Sequence, residues 1–206
     1  MLPSSITNAQ DYPDFTRGAI VHRQNYDESL LLGPLAAATD REQYTLEFAM
    51  HWDKKLPTTT WNYGYMAFGR SHDGPLGIAG KFRGASEDGC YVLALRPGAK
   101  VRDEHGKYRT GDLAQLIRLD GGPGASREGK VLHTMNLKKP IKPNESIEGK
   151  IVVKGKYFYF VINGQYSAQI HDAAYRGPYV HFGRYHGNAT GGPLVLTRAL
   201  ARESWV

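Results

Sequence analysis

The chain has 206 residues, with 26 Lys and Arg against 20 Asp and Glu, which gives a formal net charge of +6 at pH 7. Its single cysteine, Cys90, excludes an intrachain disulfide and a metal site built from several thiolates. The basic residues are scattered, so the sequence predicts no specific nucleic-acid site. No stretch reaches the roughly 20 apolar residues of a membrane helix. The N-terminus lacks a signal peptide, so we expect synthesis in the cytoplasm and no membrane insertion.

Alternation of apolar and polar residues with period two is the dominant signal along the chain. In residues 44–52, YTLEFAMHW, every second side chain is large and apolar, which predicts a half-buried strand. In chain order, the earlier predicted strands are residues 19–23, 29–33, 44–52, 63–69, 90–96 and 113–119. The later ones are residues 150–154, 157–162, 166–171, 179–185 and 193–199. Two turns are predicted in the later part, at Gly155-Lys156 and at Asn163-Gly164.

Helical periodicity is nearly absent, and only residues 33–43 leave room for a short helical turn. Residues 97–130 are rich in Gly and charge and predict long loops or hairpin tips. Many short strands between Gly-rich turns are typical of an all-β sandwich or barrel. We therefore expect one all-β domain over residues 18–206, preceded by an N-terminal extension or arm over residues 1–17.

The order of these segments resembles the concanavalin-A-like, laminin-G-like jelly-roll superfamily. The resemblance extends from about residue 18 to the end of the chain. It depends on the strand at 44–52, the hairpin IVVKGKYFYFVINGQ at 151–165 and the closing segments YVHFGRY and GGPLVLTRALARESW. It implies a sandwich of two antiparallel sheets, one of them curved into a concave face that usually carries the ligand. The superfamily includes lectins, adhesion modules, glycan hydrolases, polysaccharide lyases and virion proteins, so the resemblance does not choose a function.

Three late strands place polar aromatic side chains away from the expected core. In residues 166–171 the core candidates are Tyr166, Ala168 and Ile170. Arg184 has the parity of a core residue but lies at a strand end, so we expect it to turn into the following loop. If the family layout holds, the outward side chains share one surface that suits sugar binding, because Tyr rings pack on sugar C–H groups while His, Gln and Arg bind hydroxyls. The predicted ligand-binding residues are Tyr157, Tyr159, Gln169, His171, Tyr179, His181, Arg184, Tyr185 and Asn188.

From these features we predict a non-catalytic recognition or structural module that binds a glycan or a partner protein. A component of a phage or virus particle fits the missing signal peptide, because such proteins leave the cell without secretion. In that case the chain would be an oligomer or part of a larger assembly. The tryptophans Trp61 and Trp205 are either binding platforms or packing residues.

The alternative is a polysaccharide lyase that cleaves a uronic-acid polymer by β-elimination. The segments QIH and YVHFGRY are similar to motifs of alginate lyases, Gln-x-His and Tyr-x-Lys-x-Gly-x-Tyr. The resemblance implies that Gln169 neutralises a substrate carboxylate, that His171 is the base and that Tyr185 is the acid or base. His181 stands where the family has Lys. The family's arginine has three candidates here, which are Arg70, Arg83 and Arg96.

No cofactor or metal site is predicted, and a calcium site in the loops is the alternative left open. Laminin-G-like modules hold calcium through loop carboxylates and carbonyls. The acids in predicted loops or at strand ends show no spacing of a coordination set, and they are Asp73, Asp88, Asp103, Asp112 and Asp120.

Overall fold

The computed structural model describes residues 20–22, 29–36, 39–74, 89–120, 129–185 and 191–203. Within these ranges the chain forms strands and turns and no helix, so the described part holds no helix that spans a membrane. The described part of residues 33–43, where the sequence left room for a helical turn, holds strand and turn instead. The predicted extension at 1–17 lies outside the described residues, and its separation from the domain stays a prediction.

Two antiparallel sheets contain the described strands. The first strands are β1 Ile20–His22, β2 Leu30–Pro34, β3 Gln43–Trp52, β4 Tyr63–Gly69, β5 Cys90–Arg102 and β6 Tyr108–Leu119. The later ones are β7 Lys130–Asn136, β8 Ile147–Lys154, β9 Tyr157–Ile162, β10 Gln165–Tyr166, β11 Ile170–His171, β12 Gly177–Tyr185 and β13 Leu194–Glu203. The seven-stranded sheet has the order β1-β13-β3-β8-β9-β10, with β11 also paired to β9, and the six-stranded sheet has the order β2-β12-β4-β5-β6-β7. This arrangement confirms the predicted two-sheet jelly-roll sandwich.

The core lies between the two sheets and follows the alternation in the sequence. The five large apolar residues of β3, from Tyr44 to Trp52, are all buried in it. Aromatic rings from both sheets meet there. The ring centroids of Tyr91 in β5 and Phe158 in β9 are 4.8 Å apart. Phe48 packs directly on the backbone of β8 at Gly149, where a Cβ would lie 2.0 Å from the Phe48 ring. A side chain larger than hydrogen at residue 149 would therefore displace this ring.

Both predicted hairpin turns are confirmed. Gly155-Lys156 joins β8 to β9. Asn163 and Gly164 have φ angles of 47° and 79° between β9 and β10, the left-handed pair of a two-residue turn. The charged segment after residue 97 forms a hairpin whose strands β5 and β6 pair as far as Arg102 and Tyr108. A bulge between Arg96 and Ala99 bends it.

The carboxylate of Asp103 closes the tip of the β5–β6 hairpin. Its Oδ1 accepts hydrogen bonds from the backbone N–H groups of His105 and Lys107, each at 2.9 Å, and its Oδ2 accepts one from Nε of Arg109 at 2.9 Å. The bond from Arg109 is the main reason that the pKa of Asp103 is lowered to about 2. The tip is therefore a defined element and not a loose loop.

The single strand predicted over residues 166–171 is wrong, because the segment forms two short pieces, β10 and β11. Tyr166 pairs with Val161 on the side of the sheet that faces away from the core, whereas Ile170 pairs with the core residue Phe158. Three residues, 167–169, thus lie opposite two, 159–160, and the extra residue exchanges the faces to which the following side chains point. Tyr166, which the alternation placed in the core, is 70% exposed, and Ala168 is exposed as well.

Residues 172–176 connect β11 of one sheet to β12 of the other and form a linker held by charged contacts. Arg118 Nη1 lies 2.7 Å from Asp172 Oδ2, and the Tyr175 hydroxyl donates to Asp120 at 2.7 Å. Burial acts to raise the pKa of Asp172, but hydrogen bonds from Tyr91, the Ala174 N–H and Arg118 outweigh it and lower the pKa. The linker therefore crosses between the sheets along a fixed path.

Candidate ligand-binding face

Strand register on the six-stranded sheet aligns side chains into rows on the face away from the core. The first row is Tyr185, Tyr63 and Arg96, from β12, β4 and β5. The second row is Gly183, Tyr65, Ala94, Gln115 and Thr134, and the third is His181, Ala67, Val92, Ile117 and Val131. Residues between these positions, such as Met66 and Phe182, point into the core instead.

The first row forms a stack that Trp61 extends. The rings of Tyr63 and Tyr185 lie 5.0 Å apart at an interplanar angle of 14°, and the guanidinium of Arg96 lies 4.2 Å from the Tyr63 ring centroid. Trp61 meets Tyr185 edge-on at 5.6 Å, and Arg96 Nη1 donates to the Trp61 carbonyl at 3.0 Å. We call these four residues, Trp61, Tyr63, Arg96 and Tyr185, the aromatic row.

Accessible surface in the aromatic row comes from its outer members. Trp61 is 39% exposed and Tyr185 is partly exposed, whereas Tyr63 and Arg96 are buried. Burial raises the pKa of Tyr63 although Arg96 beside it opposes the rise, so the phenol stays protonated at neutral pH. The row therefore combines open apolar ring surface with a fixed cation beneath it, an arrangement that suits flat ligands with hydroxyl or anionic groups.

The second and third rows are almost completely buried. Small residues such as Ala67 and Ala94 alternate there with one large ring, that of Tyr65, which covers the backbone of Gly183. A Cβ at residue 183 would lie 2.5 Å from the Tyr65 hydroxyl oxygen. The open part of this face is therefore its first row.

His181, predicted on an open surface, is fully buried, so that prediction is wrong. Its Nδ1 lies 3.0 Å from the Ser29 hydroxyl, and its Nε2 lies 3.3 Å from the His72 carbonyl and 3.5 Å from Arg70 Nη1. Burial, and then the charge of Arg70, lower the pKa of His181 to about 4. The imidazole is neutral at neutral pH and holds β2 and β4 against β12. The Ser29–His181 pair is buried on both sides, and we assign it a structural role.

Arg184 was also expected at the surface, but it is only 1% exposed and keeps the core parity of β12. Its Nη1 donates to the Gly192 carbonyl at 2.8 Å, so the side chain ties β12 to the segment before β13. Tyr179 is partly exposed and pairs with Arg70 through the backbone. Asn188 lies outside the described residues.

The other predicted ligand residues lie on the opposite sheet. Tyr157, Tyr159 and His171 belong to β9 and β11 and face away from the core there. The Tyr157 and His171 rings lie 5.8 Å apart, and Tyr159 stacks on Tyr166 at 6.1 Å. The prediction of one shared surface is wrong, because the chain crosses between sheets over residues 172–176.

The lyase residues are divided in the same way. Gln169 and His171 are exposed at the seven-stranded sheet, whereas His181 and Tyr185 belong to the six-stranded sheet and face the other way. They are not brought together into one site.

Sequence patterns identified the aromatic row only in part. The sequence does not decide between binding and packing for Trp61, the lyase resemblance offers Arg96 as one of three arginines, and no local pattern marks Tyr63. The strand at 63–69 has large residues on both faces, so its alternation does not indicate which face is the core. The register between β4, β5 and β12 is the missing information, and it is not local in the sequence.

Among the residues that the structure describes, no group of three or more His, Cys, Asp or Glu is placed to hold a metal ion. Two of the acids considered for a calcium site bind backbone N–H groups instead. Asp112 accepts from Gly98 and Ile141, and Asp103 closes its hairpin tip. Asp120 pairs with Arg118 at 3.0 Å. Asp88 lies outside the described ranges.

Comparisons with known proteins identify the fold and not the family. No protein-family model matches the sequence, and no curated protein is similar to it. A mutant of the carbohydrate recognition domain of Emp46p superposes with a TM-score of 0.66 at 12% identity, over 92% of this chain and 84% of that one. The metal-free form of that domain gives a TM-score of 0.63 at 12% identity, with the same coverage.

Lower TM-scores are found for two further proteins. The carbohydrate-binding module CBM66 from Bacillus subtilis gives 0.48 at 14% identity, over 79% of this chain and 76% of that one. Alginate lyase A1-II' gives 0.46 at 15% identity, over 80% of this chain and 63% of that one. The two superpositions on Emp46p, together with the sheet topology, show the two-sheet jelly-roll fold that the sequence predicts.

Proposed function

We propose that this protein is a non-catalytic carbohydrate-binding module and that the aromatic row is its glycan-binding site. The observation that carries the proposal is the open ring surface of Trp61 and Tyr185 stacked beside Arg96. The chain superposes on the carbohydrate recognition domain of Emp46p, and this likeness in fold supports the proposal.

The chemistry of the aromatic row matches a sugar ring. An indole or phenol face packs against the C–H side of a pyranose, and the edge-on contact between Trp61 and Tyr185 keeps the two rings at an angle that forms a shallow corner. The Tyr185 hydroxyl supplies a hydrogen-bonding group for a ligand, and the buried Arg96 over the Tyr63 ring adds a positive charge beneath the row. A ligand would therefore be oriented by one stacked face and by a polar group along one edge.

We propose a non-catalytic role for the protein because the three rows of aligned side chains contain no carboxylate. Glycoside hydrolysis needs a pair of Asp or Glu side chains across the scissile bond, and none occurs among the residues aligned on this face. A lyase would need its base and acid together, and the candidates lie on opposite sides of the sandwich. A role in a virus particle and in a larger assembly stays a prediction from the sequence.

A glycan array followed by titration tests the proposal. We expect at least one glycan class to bind, Trp61→Ala to weaken that binding at least about tenfold, and Tyr166→Ala to leave it unchanged. Tyr166 is the matched control, because it is an exposed aromatic residue on the other sheet. Binding should also persist with a chelator. An array without binding, or binding that survives Trp61→Ala unchanged, would refute the proposal.

A further inference from the structure

We propose that the aromatic row binds its glycan by a chain end, so that one terminal sugar lies in the corner between Trp61 and Tyr185. This inference rests on the proposed function and specifies which part of a glycan the same site recognises. Three observations carry it, namely the angle between the two open rings, the closed surface beside them and the end of the open row at Arg96.

The two rings that are open to a ligand do not form one flat platform. The rings of Trp61 and Tyr185 are inclined by 85°, with centroids 5.6 Å apart. One face of Tyr185 is already covered by Tyr63, which lies 5.0 Å away. Successive sugars of an extended chain need platforms that lie along one line, because each sugar stacks through its C–H side. Rings at a right angle instead fit one sugar, which packs its face on one ring and its edge on the other.

Toward the centre of the sheet, the aromatic row meets a closed surface. Tyr65 lies two residues along β4 from Tyr63, with ring centroids 6.0 Å apart, and its ring is fully buried. The same ring covers Gly183, which lies two positions before Tyr185 on β12. Gln115, in the same row as Tyr65, is also fully buried. A glycan therefore cannot continue from the aromatic row along the strands into the middle of this sheet.

Across the strands, the open surface ends at Arg96. The register partner of Arg96 on β6 is Leu113, and Leu113 is 0% exposed. By register, the next exposed residue in this direction is Asn136 of β7, the partner of Leu113. A fully buried position thus separates the aromatic row from the edge of the sheet. A chain that lay across the strands would have to pass over it without a ring to stack on.

The other exposed rings do not continue the site. Besides Trp61, the exposed large apolar side chains among the described residues are Tyr108 and Tyr166. Tyr166 lies on the other sheet, and the alternation along β6 puts Tyr108 on the opposite face from Leu113. The open side of the site is the loop before β4, where Thr60 is exposed next to Trp61. The rest of the glycan therefore leaves past this loop into solvent, and only its end contacts the protein.

The experiment uses linear oligosaccharides, from the disaccharide to the hexasaccharide, of the glycan class that binds on the array. We expect calorimetric titration to give the same affinity per mole within about threefold, because sugars outside the corner add no contacts. The parent polymer is also cut to about one tenth of its length. At equal mass, the shortened sample should offer about ten times as many binding sites, since each chain has one end of the bound kind, whereas internal sites would scale with mass.

Two variants accompany these titrations. Trp61→Ala should weaken binding of every length by the same factor of at least about ten, because all lengths use the same corner. Tyr108→Ala is the matched control, since it removes an exposed ring from the hairpin of the same sheet. It should leave the affinity for the hexasaccharide unchanged.

Several outcomes would overturn the inference. One is an affinity that rises with each added sugar, another is an equal number of sites per mass in the two polymer samples, and a third is a loss of hexasaccharide binding in Tyr108→Ala. If one of these appears while Trp61→Ala still weakens binding, the proposed function stands and only the chain-end inference falls. If no glycan binds, or if binding survives Trp61→Ala unchanged, both fall.

Discussion

The phenol ring of Tyr185 stacks on that of Tyr63 across two neighbouring strands, with ring centroids 5.0 Å apart and planes inclined by 14°. The contact exists because Tyr185 of β12 and Tyr63 of β4 are register partners on the face opposite the core. The stack holds one ring face of Tyr185 against Tyr63, and the Trp61 ring stands nearly perpendicular to the Tyr185 ring at 5.6 Å. A ligand site built in this way is preorganised, so little side-chain entropy is lost on binding.

Replacement of Tyr185 by Leu tests the stack itself. Leu keeps apolar volume on β12 but removes the flat ring and the hydroxyl, so we expect glycan affinity to fall about tenfold while the free energy of unfolding changes by about 1 kcal/mol or less. Calorimetric titration and urea unfolding measure the two quantities. The control is Tyr179→Leu at a partly exposed position of the same strand. Equal losses of affinity in both variants would argue against a special role for the stack.

Because His181 is buried, we expect the free energy of unfolding of the protein to depend on pH. Its folded pKa of about 4 lies below the ordinary value of 6.5, so the unfolded chain binds a proton that the folded chain does not. The stabilisation is complete above the ordinary pKa and is lost as the pH falls through the folded pKa. From about pH 7.5 to about pH 5 we expect the free energy of unfolding to drop by about 2 kcal/mol through this residue.

Urea unfolding of His181→Gln at both pH values checks this contribution. The variant should show a drop smaller by about that amount, because Gln does not titrate. His171→Gln, at an exposed histidine of the other sheet, should follow the unmodified protein. A pH dependence that is the same in all three proteins would show that His181 takes up a proton freely in the folded state. The charged groups near His181 are Arg70 and Asp73.

Asp172→Asn tests the linker between the sheets. The carboxylate accepts hydrogen bonds from Arg118 and from the Tyr91 hydroxyl, so we expect a loss of about 2 kcal/mol at neutral pH. Its folded pKa is lowered, so the difference from the unmodified protein should shrink as the pH falls below about 4 and through that pKa. The control is Glu148→Gln, which removes an exposed ion pair with Arg198 and should cost about 0.5 kcal/mol or less. Equal losses in the two variants would contradict the assignment.

Gly149→Ala tests the packing of the sandwich. The new Cβ would overlap the ring of Phe48, so the two strands must shift, and we expect a loss of about 1–3 kcal/mol in the free energy of unfolding. Gly74→Ala is the matched control, because no heavy atom lies within 4 Å of a Cβ there. Thermal unfolding of the two variants gives the comparison. An unchanged melting temperature for Gly149→Ala would contradict the direct contact of Phe48 with β8.

Most of the fold follows from local patterns in the sequence. The alternation at 44–52 is enough to identify a strand with one buried face, and Asn163-Gly164 identifies a turn, because each depends on neighbouring residues alone. The break between β10 and β11 was not predictable in this way. It depends on the pairing of Tyr166 with Val161 and of Ile170 with Phe158, and one inserted residue exchanges the two faces of a strand.

The site was harder to predict than the fold, because it depends on contacts between distant segments. Outward-facing residues of β9, β11 and β12 are close in sequence, yet the linker at 172–176 sends them to opposite sides of the molecule. The aromatic row joins Trp61, Arg96 and Tyr185, which are widely separated in the chain. The alternation of side chains indicates that His181 points away from the core between the sheets. It does not show that His181 is nevertheless buried on that side.

A two-dimensional proton–nitrogen spectrum of the indole groups tests the central claim most directly. The chain has three tryptophans, and Trp61→Phe assigns the signal of Trp61. When the glycan found on the array is added, we predict that the Trp61 indole signal shifts while that of Trp52, which is buried in the core, stays in place. An unmoved Trp61 signal, together with shifts at the backbone amides of Tyr157 and Tyr159 on the other sheet, would contradict binding at the aromatic row.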